Sequence, residues 1–138
     1  MKLIQSRDNP FFKELAKLSG SSRQRGKANQ TLLDGAHLLA AYLDAGMLPQ
    51  HVLLSAAASH DAEIAALLAR MGNVPVTQLD DRLFAELSEL KIPTGILALI
   101  AVPQLDRPIA QSCFALLLED IQDPGNLGSM LRDRKSVV

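Results

Sequence analysis

Apolar residues recur along the first hundred residues with two spacings, one typical of helices and one typical of short buried strands. The helical spacing predicts helices that begin near Pro10, His37, Ala62 and Asp81. Continuous apolar runs predict strands at 31–34, 51–55, 74–79 and 95–102. Residues 21–29 lack an apolar stripe and are predicted to form a polar, basic loop. This alternation indicates an α/β domain with a mostly parallel sheet.

The alternation stops at residues 103–112, where two prolines and the absence of apolar periodicity predict a linker. Beyond it, Cys113–Leu118 is predicted to be another buried strand, followed by a tight turn and a helix that begins at Asn126. We therefore expect a complete domain at 1–102 and the first strand, turn and helix of a second domain at 113–132. Because a single strand cannot bury a sheet, the second domain is expected to be truncated.

The composition is that of a folded protein, since 48% of the 138 residues are hydrophobic and 21% are charged. No apolar run approaches the roughly 20 residues that span a bilayer, and the N-terminus lacks the apolar core of a signal peptide. Cys113 is the single cysteine and cannot form an internal disulfide. We therefore expect a cytoplasmic protein without a membrane partner. The three scattered histidines form no metal-ligand set, so no metal is predicted.

Positive charge is concentrated near the N-terminus. Residues 1–30 carry seven Lys and Arg against Asp8 and Glu14, an excess of +5, so the rest of the chain sums to −6. A basic end on an acidic protein is typical of a surface that binds a polyanion such as a nucleic acid. The alternative is a solvated helix followed by a basic loop, and charge alone leaves both interpretations open.

A second candidate for chemistry is the stretch 116–132, LLLEDIQDPGNLGSMLR. The predicted strand ends at acidic residues that include Asp120, at the position where α/β folds bind ligands. Residues 123–126 form a tight Asp-Pro-Gly-Asn turn, in which Pro presets one dihedral angle and Gly supplies a positive one. Asn126 is a suitable helix N-cap, and Gly128 permits close approach of a backbone or ligand. Spacing alone favours a strand-to-helix turn without function, because turns of this type are common.

The same stretch closely resembles the first signature motif of the SpoU (TrmH-type) RNA methyltransferases of the SPOUT superfamily. That motif has an acidic residue after an apolar strand, then D-P-x-N-x-G and a later Arg. It maps without a gap onto Asp120, Asp123, Pro124, Asn126, Gly128 and Arg132.

The front of the chain is similar to the family's substrate-binding domain. The family patterns I-x-S-x-x-N-P, Arg-x-Arg and an acidic residue plus Gly are matched by Ile4, Ser6, Asn9, Pro10, Arg23, Arg25, Asp34 and Gly35. The family usually has Glu where this chain has Asp34. Residues 95–98 resemble the strand that closes the domain, so the resemblance covers residues 1–132.

The resemblance implies an L7Ae/L30e-like RNA substrate-binding domain followed by a SPOUT α/β-knot domain. It also implies a homodimeric enzyme that uses S-adenosylmethionine to methylate a ribose 2′-hydroxyl of rRNA or tRNA. Asn126 and Arg132 would lie beside the reaction centre, with Arg132 as a phosphate clamp or alkoxide stabiliser. Structural roles in the motif are implied for Asp120, Asp123, Pro124 and Gly128. We expect phosphate contacts from Arg7, Arg23, Arg25 and Lys27. Asn9 is a further RNA-binding candidate, although we favour a role for it in capping the first helix.

The last residues, 133–138 (DRKSVV), depart from the family pattern, and the family's second and third motifs are absent. Most of the cofactor pocket is therefore expected to be missing, and we expect no catalysis from this chain, whereas the sequence leaves open whether it forms the family's dimer. One interpretation of the tail is that it is an artefact of sequencing. The alternative function is a stand-alone, non-catalytic RNA-binding module, which would not need the strand and turn at 113–132.

Overall fold

The computed structural model describes residues 1–104, 118–120 and 122–132 and divides the chain into two compact units after Gln104. In the first unit the strands are β1 (Lys2–Ile4), β2 (Gln30–Asp34), β3 (His51–Ser55), β4 (Val76–Leu79) and β5 (Ile96–Ala101). Its α-helices are α1 (Pro10–Gly20), α2 (Ser22–Ala28), α3 (Ala36–Asp44), α4 (Ala62–Met71) and α5 (Asp81–Leu87). The second unit contributes helix α6 (Pro124–Arg132).

The five strands form one sheet in the order β1-β4-β3-β5-β2. β4 pairs in parallel with β1 and β3, whereas β5 pairs antiparallel with β3 and β2. The prediction of a mostly parallel sheet is therefore wrong, because the sheet is mixed. The apolar run of β5 reflects its burial on both faces, and that burial is the same for either strand direction.

Helices cover both faces of the sheet and create two hydrophobic clusters. α3 and α4 pack on the face that includes Val52 and Ile96. α1 and α5 pack on the opposite face, which includes Leu53 and Leu97. These adjacent residues point in opposite directions because side chains alternate along a strand. Both clusters meet at β3 and β5, which makes these two strands the centre of the domain.

Two of the predicted elements, the strand at 51–55 and the helix at 62–71, have the observed bounds. β1 was not predicted, because only one of its three residues is buried and the apolar signal is correspondingly weak. The predicted loop at 21–29 is also wrong. It contains α2, which Ser21 caps by accepting from the Gln24 amide and which ends at Asn29 in the left-handed region. Because α2 buries no residue, it has no apolar stripe to reveal it.

The chain enters β5 through Gly95, whose φ is +89°. A Cβ at this position would lie 2.2 Å from the Ala58 Cβ and 2.8 Å from the Ser55 Oγ. The Gly95 carbonyl accepts from the Ser55 amide at 2.9 Å, which holds the strand against its neighbour. Glycine is therefore required here by both backbone conformation and space. Among the residues that the structure describes, no helix is long and apolar enough to cross a membrane.

Candidate nucleic-acid interface

The short helix α2 presents exposed positive charge. Arg23 and Lys27 are four residues apart, so they share one face of the helix, and both are exposed. α2 contains no acidic residue. Within residues 1–104, neither side chain lies at ion-pair distance from a carboxylate. Their charge is therefore available to an anionic partner.

Arg25 lies on the other side of α2 and is half-buried. Its Nη1 donates to the carbonyl oxygens of Leu18 at 2.7 Å and Ser19 at 3.2 Å. These carbonyls belong to the last turn of α1, where backbone acceptors lack helical partners and a cation is favourable. Arg25 therefore holds α2 against the end of α1. The sequence predicted a phosphate contact for Arg25 and did not predict this structural role.

The other candidates in the first unit already have intramolecular partners. Arg7 forms an ion pair with Glu86 at 3.1 Å, although 75% of its side chain remains exposed. The Asn9 Oδ1 accepts from the amides of Phe11 at 2.9 Å and Phe12 at 3.2 Å. This confirms the prediction that Asn9 caps the first helix. Lys17 pairs with Glu14 at 3.0 Å. Of these two ion pairs, only Arg7–Glu86 offsets part of the N-terminal excess of +5, because Glu14 is already counted in that sum.

Beside Arg25 lies a cleft of about 230 Å³ over the edge strand β2, and Asp34 forms part of its wall. The Asp34 Oδ2 accepts from the Ser88 Oγ at 2.7 Å and from the Glu89 amide at 2.8 Å. Its Oδ1 is shielded from solvent and has no hydrogen-bond partner among the described residues. Sequence reasoning gave Asp34 no role. The sequence signal that could have pointed to Asp34 is its position at the end of a predicted strand, directly before Gly35. In the structure the φ of Gly35 is +115°.

His51 is a titratable group whose environment within the first unit alters its pKa. Its Nε2 lies 2.8 Å from the Thr77 Oγ1, and its ring centre is 4.7 Å from that of Phe11. Burial lowers the pKa of His51, because desolvation disfavours the charged imidazolium. The contacts connect β3 with α1 and β4, so the histidine packs within the domain rather than on the basic face of α2.

In the second unit, the turn of the predicted motif is built by Asp123. Its Oδ1 accepts from the Gly125 amide at 2.8 Å, and its carbonyl accepts from the Asn126 amide at 3.1 Å. α6 therefore begins at Pro124, and the predicted N-cap role of Asn126 is wrong. The reason is that Pro fits the first helical position and Asp is itself a strong cap. Asn126 instead lies in the first turn and is exposed.

The remaining motif residues also have defined positions. Arg132 is exposed, and its Nε donates to the Gly128 carbonyl at 3.2 Å. Asp120 has a φ of +50°, and its carboxylate accepts from the Gln122 Nε2 at 3.4 Å. Of the predicted strand Cys113–Leu118, only Leu118 lies within the described residues.

A cofactor site normally buries most of its ligand in a cleft. No residue of α6 is buried, and both Asn126 and Arg132 are exposed. The described residues of this unit therefore do not themselves enclose a molecule of the size of S-adenosylmethionine. Groups of His, Cys, Asp or Glu that could hold a metal ion are also absent from the described residues.

The fold and the basic helix together define an α/β domain suited to binding a polyanion. A family model described as the MRM3-like substrate binding domain matches residues 9–98, so the chain belongs to that family. Among curated proteins, it is 27% identical over 132 residues to the 23S rRNA (guanosine(2553)-2′-O)-methyltransferase RlmP of Bacillus subtilis. That match covers 96% of this chain and 50% of the relative. The predicted resemblance to SpoU (TrmH-type) methyltransferases is confirmed.

Solved structures agree with the family. An RNA 2′-O ribose methyltransferase superposes with a TM-score of 0.73 at 27% identity, over 97% of this chain and 52% of the other. The SpoU methyltransferase AviRb of Streptomyces viridochromogenes, in complex with AdoMet, gives a TM-score of 0.56 over 69% of this chain and 34% of the other. Its identity is 19%, so it supports the fold alone. The chain spans about half the length of the first curated relatives that it matches.

Proposed function

We propose that this chain is the RNA substrate-binding region of a SpoU-type rRNA or tRNA ribose 2′-O-methyltransferase. The observation that carries the proposal is the uncompensated pair Arg23 and Lys27 on a domain of the substrate-binding family. The names of the relatives support a methyltransferase as the parent protein. A stand-alone RNA-binding module is less favoured, because residues 120–132 retain the motif that such a module would not need.

Arg23 and Lys27 act on the phosphate backbone in this proposal. Such contacts fix the position of the RNA without reading its sequence. Each phosphate that a cation neutralises releases bound counterions, so binding weakens as the salt concentration rises. Arg7 is a secondary contact, because its exposed guanidinium would have to share its charge with Glu86.

The family resemblance extends the proposal to the complete parent protein. There, Asn126 and Arg132 would lie beside the reaction centre, and Asp120, Asp123, Pro124 and Gly128 would shape the turn. The cofactor would be S-adenosylmethionine, which supplies the transferred methyl group, and the parent would be a cytoplasmic homodimer. The first unit would correspond to the L7Ae/L30e-like domain of the family, and the second to the start of the knot domain.

The phosphate contacts are tested with a fluorescein-labelled RNA hairpin, whose affinity for the chain is measured by anisotropy over a range of salt concentrations. Arg23→Ala and Lys27→Ala should each weaken binding and reduce the slope of log Kd against log salt by about 1. Lys17→Ala is the matched control, since it removes the same charge from a lysine already paired with Glu14. Equal slopes for all three variants, or no binding by the unmodified chain, would refute the proposal.

The methyltransferase part is tested by sequencing the parent gene across codon 132. A reading frame that continues with the family's remaining motifs would support a complete enzyme. A confirmed stop after Val138 would instead favour the stand-alone module.

A further inference from the structure

The cleft beside Arg25 is lined by both apolar and charged side chains. Leu18, Leu32, Leu87 and Leu97 supply apolar surface, while Arg25, Asp34 and Glu89 supply charged groups. Its volume of about 230 Å³ corresponds to about eight water molecules in the liquid. This space suits one small planar ring system and is too small for a helix or a folded peptide.

Two of the charged groups that line the cleft, Arg25 and Asp34, are each partly fixed by hydrogen bonds. Arg25 uses Nη1 on the α1 carbonyls, and Asp34 uses Oδ2 on Ser88 and Glu89. Arg25 retains N–H groups on Nη2 and Nε, and Asp34 retains Oδ1, for which the described residues provide no donor. A buried acceptor without a donor is unfavourable, so a ligand that donates to it gains affinity. Because this oxygen is shielded from solvent, a ligand reaches it only when the side chains around it move.

The charges in the cleft select against a phosphate. Two carboxylates and one guanidinium line it, so its formal charge is −1. A neutral ring with a donor beside an acceptor satisfies both Asp34 and Arg25, and nucleobases have this arrangement. Unpaired bases in single-stranded RNA expose these edges, and proteins read RNA sequence mainly there.

The single free oxygen of Asp34 also discriminates among bases. An exocyclic amino group projects a donor from the ring edge, as in cytosine, adenine and guanine. The only ring N–H of the pairing edge of uracil lies between two carbonyls, which would face the carboxylate. Asp34 therefore disfavours uracil through electrostatic repulsion as well as through the loss of a donor.

We propose that this cleft binds one unpaired, amino-bearing nucleobase of the RNA, with its amino group on the Asp34 Oδ1 and its ring acceptors on Arg25. The inference rests on the proposed RNA-binding function. α2 would then contact both the base and the phosphate backbone of the RNA. Arg25 lines the cleft that takes the base, whereas Arg23 and Lys27 would bind phosphates.

The test uses the full chain and three labelled RNA octamers: eight uridines, the same strand with one central cytidine, and the same strand with one central abasic site. Cytosine and uracil have the same size and charge and differ in the amino and carbonyl groups that Asp34 would read. We expect the cytidine strand to bind at least about fivefold more tightly than the uridine strand, the lower range for one good base contact. We expect the abasic strand to resemble the uridine strand.

Asp34→Asn should abolish this preference, because it removes both the acceptor for the amino group and the charge that repels the uracil carbonyls. Its amide oxygen can still accept from Ser88 and Glu89, so the variant retains the local structure, which circular dichroism checks. Glu89→Gln is the matched control, because it also removes a carboxylate from the cleft and should keep the preference for cytidine.

The outcomes separate the two proposals. Salt-dependent binding of all three strands within about twofold of one another would overturn the base site and leave the RNA-binding function standing. A cytidine preference that survives in Asp34→Asn would overturn the assignment to Asp34. Absence of binding to these octamers and to the hairpin would overturn both proposals. The octamer comparison on the unmodified chain remains decisive even if Asp34→Asn does not fold.

Discussion

Gly95→Ala places a methyl group at the start of the central strand β5, where the structure leaves no room for it. The added Cβ would lie 2.2 Å from the Cβ of Ala58, and that residue is only 8% exposed. It would also lie 2.8 Å from the Ser55 Oγ, which accepts from the Ala58 amide at 3.1 Å. Neither neighbour is the free end of a flexible side chain. The substitution must therefore displace either the backbone around residues 55–58 or the start of β5.

Two terms set the size of the effect. A non-glycine residue held at positive φ costs about 1–2 kcal/mol. Overpacking a buried position by one methyl group costs about 1–3 kcal/mol. Together they predict that the free energy of unfolding falls by about 2–5 kcal/mol, a large part of the roughly 5–15 kcal/mol that stabilises an ordinary domain. For a unit of this size the melting temperature should fall by at least about 8 °C.

Urea unfolding followed by far-UV circular dichroism measures this loss directly. Gly26→Ala is the matched control, because it makes the same chemical change inside α2, where no atom lies within 4 Å of the added Cβ. There, alanine should raise the free energy of unfolding by about 0.5–1 kcal/mol through its better helix propensity. The reasoning would be refuted if Gly95→Ala unfolded at the same urea concentration as the unmodified chain, or at a higher one.

The remaining predictions concern Arg25 and His51. Arg25→Met keeps the apolar stem but removes the donors to the α1 carbonyls, so thermal melting should show a loss of about 1–2 kcal/mol, whereas Arg23→Met should be close to neutral. Because the folded-state pKa of His51 lies below its unfolded value of 6.5, its contribution to stability is present above pH 6.5 and is lost as the pH falls through the lowered value. At pH values below 6.5, the melting temperature of the unmodified chain should therefore decrease as the pH is lowered. The melting temperature of His51→Gln should decrease less steeply over the same pH range. A His51→Gln profile that matches the unmodified one would contradict this assignment.

The elements that the sequence predicted well combine an apolar face with local capping signals. In α4, Ile64, Leu67 and Met71 form the buried face, and Asp61 caps the helix by accepting from the Glu63 amide at 2.8 Å. The hydrophobic period and the cap specify the same bounds, so the prediction was confirmed. α2 has the caps Ser21 and Asn29 but no buried face, and a method based on apolar period could not find it.

The antiparallel direction of β5 could not be predicted from the apolar pattern. β5 is buried on both faces from Ile96 to Ile100, and such a run is compatible with parallel or antiparallel neighbours. Its pairing with β2, from Gln30↔Ala101 to Asp34↔Leu97, is decided by the path of the chain between α5 and β5. That path depends on tertiary contacts such as the hydrogen bonds from Ser88 and the Glu89 amide to Asp34, residues more than fifty positions apart.

The sequence predicted the basic residues of the candidate site but not which side of the structure each one lies on. The reason is that they belong to a helix, α2, that was not predicted. Arg23 and Arg25 belong to one Arg-x-Arg motif, so the sequence treated them as equivalent phosphate contacts. In a strand, residues two apart share a face, and both arginines would reach the same partner. In a helix they are separated by about 200°, which turns Arg25 towards α1 and the cleft while Arg23 joins Lys27 outside. The proposed roles differ, with Arg25 at the base and Arg23 at the phosphates. This difference depends on the helical structure of residues 22–28, because the motif itself is the same in a strand or a helix.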